Sequence, residues 1–549
     1  MPTIETVDRN LKLKIQNSKL AGSGRLYMTL NQMLDQTVRQ HGSKLGYIYR
    51  GQKISFAEMS QKADALAAAL GQLGIRPGDR FALCVRNSIE FVTTWFACAR
   101  LGAIAVHINF MTSQDEMAYI LKDSGAKGVL IQKEFGGKIR PAAATAGAGF
   151  LVSIDEQPKN SGEYLFSDLE NRGRGQHYDR FEAQKNTTAA ILYTSGTTGK
   201  PKGAMLSHLN LASNVQDAVF HLGFVPQKEV MLCILPMFHI FALTAIILAS
   251  VYLAVPIVIV ESVTPPQHWL KLIAKWKVTV FPAIPPIYHA LANKAKGIKG
   301  LVLKYLFFRT VKKGISGAAP LPAEVLERFE KKFGVPIYEG YGLTETSPVI
   351  SANAVVKRKP GTVGIVIPNV KVKIVNDQEE ELPTGEEGEI VVKGPNVMQG
   401  YFNLPQESKE CFTQDGFFKT GDIGRFDAEG FLTICDRKKD MIIIKGLKVF
   451  PAQIEQIILN HPGVAEAAVV GIPVEGGDEI IKAFVTAKEG SVLNKTELQE
   501  MLQAKLPPYK RPREIEVREA LPKNALQKIL KRVLRREAQE KMKNQRAEI

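Results

Sequence analysis

Eleven consecutive residues, YTSGTTGKPKG from Tyr193 to Gly203, gather hydroxyls, glycines and lysines of the kind that hold phosphate. Ser195, Thr197 and Thr198 offer hydroxyl donors. Gly196, Gly199 and Gly203 let backbone N–H groups approach an anion, and Lys200 and Lys202 add positive charge. A nucleoside triphosphate is the guest such a loop suits. It is not a Walker A loop, because only two residues separate Gly196 from Gly199-Lys200 and Pro201 follows. Alone, the run also reads as a Gly-Thr turn between the apolar stretch Ala189–Leu192 and a later helix.

Elements able to position such a loop are abundant. The chain has 549 residues, 45% hydrophobic and 23% charged, which suits a folded protein with a large lobe of several packed units and a smaller one. Helical periodicity at Leu30–Gln40 and Phe56–Leu73 alternates with β-rich runs at Arg80–Val85, Ala103–Val106 and Gly128–Ile131, a pattern of parallel sheets covered on both faces. From Gly361 to Gly400 the pattern becomes strands and turns, a β-rich, barrel-like subdomain. After Asp436 a charge cluster interrupts, and a compact α+β pattern follows. The expected fold is therefore α/β, with residues 1–436 holding two α/β subdomains and the β-rich one, and residues 437–549 a small α+β domain.

Between Glu229 and Glu261 there is no charged residue. Pro236, His239 and Pro256 divide this stretch into a strand (Met231–Leu235), a buried helix (Phe241–Leu253) and a second strand (Pro256–Val260), so it reads as core and not as a membrane span. Five scattered cysteines, with no metal-ligand spacing, suit a reducing cytoplasm, and the N-terminal sequence has no signal-peptide core. The net charge is +16, and the last 45 residues hold 14 Lys plus Arg against 6 Asp plus Glu. Leu526, Ile529, Leu530, Val533 and Leu534 recur there at helical spacing. A basic helix packed on its own domain is the first reading, and peripheral contact with an anionic membrane is the second. No base-reading motif accompanies the charge, so nucleic acid is not an expected partner.

Further motifs lie far from the loop: SGAAPLP at Ser316–Pro322, YEGYGLTE at Tyr338–Glu345, TGD at Thr420–Asp422, DRKKD at Asp436–Asp440 and LPKNALQK at Leu521–Lys528. Singly they read as turns, a helix cap at Thr344, a β-turn aspartate and a solvated charge run. Together and in this order they resemble the adenylate-forming superfamily of acyl- and aryl-CoA synthetases, amino-acid-adenylating domains and firefly luciferase. The resemblance is nearest to bacterial medium- or long-chain fatty-acid–CoA ligases. It implies that Thr194–Lys202 holds the β- and γ-phosphates of ATP, that Thr344 contacts phosphate and that Glu345 binds Mg²⁺. Tyr341, beside Gly342, would stack on adenine, and Gly317, Ala318, Ala319 and Pro320 would edge the adenine pocket. Asp422 and Arg437 would meet the ribose and phosphate, and Lys439 would act as the hinge. Lys445, Gly446 and Leu447 would line a tunnel for coenzyme A, and Lys528 would bridge the substrate carboxylate and the α-phosphate. Gln527 stands where relatives commonly carry glycine. If that position needs a positive φ, the side chain costs about 1–2 kcal/mol.

The resemblance also implies a reaction. A carboxylate is a poor electrophile, and joining it to AMP supplies a leaving group for a thiol; both steps develop anionic charge that cations and donors stabilise. His239, in LPMFHIFAL, falls in the motif that borders the acyl site, or it is a satisfied core histidine. Val230–Val260 contains no acid to pair with an amino-acid ammonium. With the apolar FPAIPPIYHAL at Phe281–Leu291, a medium- or long-chain fatty acid is the expected substrate and CoA the acceptor. Aromatic acids, a carrier-protein acceptor, a homodimer and a non-catalytic, membrane-associated fatty-acid-binding scaffold are the alternatives.

Overall fold

The computed structural model describes residues 27–194, 200–294, 297–444, 447–474, 479–488, 490–491, 493–523 and 527–547. Local signals set where the first helices begin. Thr29 accepts from the Gln32 backbone while the Gln32 side chain accepts from Thr29, and Ser55 and Glu58 form the same reciprocal cap. The helices run Leu30–His41 and Phe56–Gln72, within two residues of their expected ends. Ser88 caps Ile89–Leu101, and Gly102 ends it at φ +69°, where a Cβ would stand 2.5 Å from the Phe181 ring.

Two large sheets dominate. The first has eight strands in the order Gly400–Tyr401, Lys202–Ser207, Thr188–Thr194, Ile104–His107, Arg80–Cys84, Ala126–Ile131, Phe150–Ser153 and Glu163–Leu165. Its pairings are parallel except the two that strand Lys202–Ser207 makes with its neighbours. The second has nine strands, with a parallel interior from Ile337–Gly342 through Lys313–Ser316, Val280–Ala283, Met231–Cys233 and Ile257–Ile259 to Leu45–Tyr49. Buried parallel strands need apolar residues on both faces, which is why they read as continuous apolar runs. One apolar core spans both sheets.

The β-rich part is a four-stranded antiparallel sheet, Lys371–Val375, Gly388–Lys393, Phe418–Phe426 and Leu432–Arg437, with its own cluster around Ile374, Ile390 and Leu432. Beyond the 3₁₀ turn Lys438–Asp440, strands Val464–Pro473, Glu479–Ala487 and Glu514–Arg518 form a sheet with apolar clusters on both faces.

The charge-free stretch folds as core. Its strands are Met231–Cys233 and Ile257–Ile259, and between them the helix passes through a π-helical segment, Leu243–Leu248, before ending at Leu253. Among the described residues no helix is long and apolar enough to cross a membrane. The last helix starts later than the sequence periodicity predicts, at Lys531, because Ile529 pairs with Lys523 in a β-bridge instead of lying on the helix. Leu534 and Ala538 of this helix are buried against Val470, Ile472 and Phe484, so its apolar side is covered by its own domain.

Candidate active site

The strands Thr188–Thr194 and Lys202–Ser207 are antiparallel partners, with Thr194 opposite Lys202. The glycine-rich segment is therefore flanked by two paired strands, and the next helix begins only at His208. Ser195, Gly196, Thr197, Thr198 and Gly199 lie outside the described residues. At its edges the Lys200 ammonium lies 5.6 Å from the Tyr119 ring centroid, and the Lys202 ammonium 5.4 Å from that of Tyr401.

After these strands, Ser207 caps the helix His208–His221, which is buried along most of its length. Its polar side chains bond outward to other elements. Asn214 donates to Val349 O at 2.7 Å and accepts from Val349 N at 3.0 Å, His221 Nε2 meets Ala352 O at 2.8 Å, and Asn210 donates to Pro395 and Val397. Strand Val349–Ala352 is in turn paired with Ile337–Gly342. One helix thus ties the strand pair to the YEGYGLTE segment, 145 residues from Tyr193 to Tyr338 along the chain. Gly342 is obligatory at the turn, since a Cβ there would lie 1.8 Å from Pro348 O.

Glu345 sits in the short 3₁₀ turn Thr344–Thr346 and is nine-tenths buried. Its Oε1 accepts from Thr194 Oγ1 at 3.3 Å and from the Tyr401 hydroxyl at 3.1 Å. Among the described residues no cation lies within 4.0 Å of it, so a buried carboxylate is held by two neutral hydroxyls. Such a group fits a hard divalent cation, which takes oxygen ligands.

A second knot forms at the edge of the β-rich sheet. Asp422, buried, accepts the Tyr341 hydroxyl at 2.6 Å on one oxygen and pairs with Arg437 Nε at 2.7 Å on the other. Strand pairing places Asp422 directly opposite Arg437. Burial opposes the charge on Arg437, but Asp422, Tyr341 and Glu345 outweigh it and hold the guanidinium firmly protonated. The expected adenine-stacking residue is therefore fixed through its hydroxyl to the expected ribose-binding carboxylate. Gly317, Ala318, Ala319 and Pro320 connect strand Lys313–Ser316 to helix Ala323–Phe333, with Ala318 at φ +70° and Gly317 against Phe241.

Lys528 lies at the end of a loop closed by the Lys523–Ile529 bridge and by Leu530 N donating to Pro522 O at 2.8 Å. Gln527, solvent-exposed, has φ +60°, the left-handed conformation that glycine adopts without cost. The Lys528 ammonium is pushed down to about 8 by burial and Arg437, with Lys439 adding to this, while Asp422 and Asp440 oppose it. The residue as a whole is nonetheless exposed. Three residues on, Lys531 pairs with Glu455 at 2.7 Å and lies in the field of Asp436, anchoring the loop to the smaller domain.

Lys439 is exposed within Lys438–Asp440, the turn between strands Leu432–Arg437 and Ile442–Ile444. Burial of its stem and the nearby Arg437 lower its ammonium below the ordinary lysine value. Lys445 and Gly446 lie outside the described residues, and Leu447 opens strand Leu447–Val449 half exposed. His239 stands apart from the two knots. Its Nδ1 accepts from Phe241 N at 3.2 Å at the start of the apolar helix, and burial pushes the imidazole down to about 4, so it is neutral. Tyr401 carries no sequence signal of a role, being a lone tyrosine after a glycine, yet its hydroxyl and ring touch both Glu345 and Lys202.

Residues 34–402 match the family described as AMP-binding enzyme, and residues 453–528 match the AMP-binding enzyme C-terminal domain. The chain belongs to the AMP-binding enzyme family. It is 33% identical to a long-chain-fatty-acid–CoA ligase of Escherichia coli over 547 residues, covering 94% of this chain and 96% of that protein. It resembles ATP-bound MatB from Rhodopseudomonas palustris with a TM-score of 0.84 at 31% identity, over 93% and 99% of the two chains. It also resembles the anthranilate CoA ligase AuaEII in complex with anthranoyl-AMP, with a TM-score of 0.85 at 26% identity, over 94% and 99%.

Proposed function

We propose that this chain is an AMP-forming acid–thiol ligase that activates a medium- to long-chain fatty acid with ATP and transfers the acyl group to coenzyme A. The observation that carries the proposal is the joining of distant motifs: Thr194 with Glu345, Tyr341 with Asp422 and Arg437, and Lys528 within the field of that pair.

In the first step a carboxylate oxygen attacks the α-phosphorus and the bond to pyrophosphate breaks. The protonated Lys528 amine, set between the acid and the α-phosphate, offsets the charge that builds on both. Thr194–Lys202, with Thr344, would hold the β- and γ-phosphates through hydroxyls, backbone N–H groups and Lys200 and Lys202. Asp422 would accept from the ribose hydroxyls in place of Tyr341, leaving Arg437 charged beside the phosphate. Glu345, oriented by Thr194 and Tyr401, would hold Mg²⁺, which when bound neutralises phosphate charge. In the second step the CoA thiolate attacks the acyl carbon, and the bond from that carbon to AMP breaks. Lys439, in the turn between the domains, is the proposed hinge for the change between steps. Lys445, Gly446 and Leu447 are the proposed tunnel lining. His239, neutral and already engaged through Nδ1, serves as wall of the acyl site and not as a base.

The apolar environment of Phe241–Leu253 and Phe281–Leu291 supports an aliphatic acid. The test is pyrophosphate release by the full chain with magnesium, ATP and acids of graded length, benzoate and anthranilate included, followed by CoA or a holo carrier protein. A preference for fatty acids with CoA-dependent thioester formation is expected; exclusive activation of aromatic acids, or transfer only to the carrier, would overturn the assignment. Lys528→Ala should abolish adenylation and spare thioester formation from supplied acyl-AMP, and equal loss of both steps would refute the role given to Lys528.

A further inference from the structure

From Ser262 to Ala323 the chain carries ten Lys and Arg and not one Asp or Glu, ten of the +16 net charge in a single segment. At its centre, helix Gly297–Val302 continues into the π-helical turn Leu303–Phe307. Leu301, Val302, Tyr305 and Leu306 are 56%, 43%, 64% and 53% exposed. Their spacing of one, four and five residues puts them on one face. Large apolar side chains left in water as a contiguous group mark a contact surface.

The face is held rigidly from behind. Leu303 and Phe307 pack on the main core, and Phe308, 1% exposed, lies in an aromatic cluster with ring centroids 5.4 Å from Phe281 and 4.8 Å from Phe333. Described cations of this segment flank it. Lys304 extends its ammonium to 5.4 Å from the Tyr305 ring, Arg309 and Lys312 are exposed, and the adjoining helix Pro266–Trp276 carries exposed Lys271 and Lys275. Among the described cations of the segment, Lys313 pairs with Glu229 at 2.9 Å.

We propose that this face, residues 301–312, docks the protein on an anionic lipid bilayer. The four apolar side chains enter the headgroup–acyl boundary, and the flanking lysines and arginines meet lipid phosphates. A self-complementary protein interface would bring these like charges together, whereas an anionic surface neutralises them. The basic C-terminal helix is not the docking element, because its apolar side is already covered by its own domain. The surface is independent of the reaction assigned above and can be tested without substrate.

The test is co-sedimentation of the full chain with vesicles of phosphatidylcholine alone and of phosphatidylcholine mixed with phosphatidylglycerol. Binding to the mixed vesicles, reversed by salt, is expected, with little binding to phosphatidylcholine alone. Lys304→Gln with Arg309→Gln should weaken it about 25-fold, at roughly fivefold per charge near the surface. Leu301→Ser with Tyr305→Ser and Leu306→Ser should weaken it by about tenfold or more, with unchanged melting because these side chains are exposed. Arg535→Gln with Arg536→Gln, on the C-terminal helix, should leave it unchanged. The proposal is overturned if the unaltered chain ignores anionic vesicles, if the serine variant binds as well as wild type, or if the C-terminal variant is the one that loses binding. It is equally overturned if the serine substitutions dissolve a dimer while vesicle binding persists, which would make the face a contact between copies.

Discussion

Gln527→Gly is the most informative single substitution the loop offers. A residue with a Cβ at φ +60° is destabilised by roughly 1–2 kcal/mol relative to its ordinary backbone conformations, and glycine is not. The Gln527 side chain is exposed, so removing it sacrifices no packing. The strained residue immediately precedes Lys528 in the orientation that places that amine in the field of Asp422 and Arg437. If domain rotation relaxes the loop, glutamine penalises only the adenylating orientation. At about 1.4 kcal/mol per factor of ten, relief corresponds to a roughly 5- to 30-fold gain in that orientation's population. Glycine also loosens the unfolded chain by about 0.5–1 kcal/mol, so the melting temperature should change little. The assay is single-turnover formation of acyl-AMP, compared with thioester formation from supplied acyl-AMP. The first rate should rise in Gln527→Gly and the second should not. Gln527→Ala keeps the Cβ and should match wild type, which separates a backbone effect from a side-chain effect. A first step unchanged in the glycine variant, or raised equally by alanine, would refute the reasoning.

The ammonium of Lys528 is the form proposed to act, and its value near 8 lies inside the usable range. In the free enzyme, kcat/KM for adenylation should therefore fall as pH rises through about 8, and Lys528→Arg should move that decline beyond the accessible range. Tyr401→Phe removes a donor from the Glu345 carboxylate, and the magnesium requirement of the first step should rise about 10- to 100-fold in a titration at saturating ATP. An unchanged titration would show that Glu345 is oriented without it. Glu339 is buried, accepts from Leu321 N at 3.0 Å, and is pushed by burial from 4.5 up to about 7. The folded form thus binds a proton that the unfolded form has lost, and stability should fall by roughly 3 kcal/mol between about pH 4.5 and 7 from this group. Glu339→Gln keeps an acceptor and should flatten that decline in urea unfolding; identical slopes for the two proteins would remove Glu339 as its cause.

The elements that were legible in sequence are those whose signals are local. Helical periodicity at Leu30–Gln40 and Phe56–Leu73 and the apolar strand runs place helices and strands within one or two residues. The nucleotide-related motifs stand out because several polar groups crowd into a few positions. Pairings between distant residues carry no such mark. Tyr401 meets Glu345 across 56 residues, and the helix His208–His221 ties two sheets together through asparagines that any exposed helix could carry. Periodicity also overran the true start of the last helix. Leu526, Ile529 and Leu530 keep helical spacing, but the chain at Gln527 and Ile529 is a turn closed by a bridge. The exposure of Leu301 and Tyr305 depends on Phe308 facing the core, which spacing alone does not reveal.

All five thiols are unpaired, and burial pushes Cys84 and Cys98 up to about 12, Cys411 to about 11 and Cys435 to about 12, with Cys233 also displaced upward. Near neutral pH each native thiolate is at least about a hundredfold scarcer than that of an ordinary exposed cysteine. A maleimide dye should accordingly seek out cysteines introduced at the surface. A donor on the large lobe and an acceptor on the small one could then report by energy transfer whether the proposed rotation takes place, in a chain that retains every one of its own sulfurs.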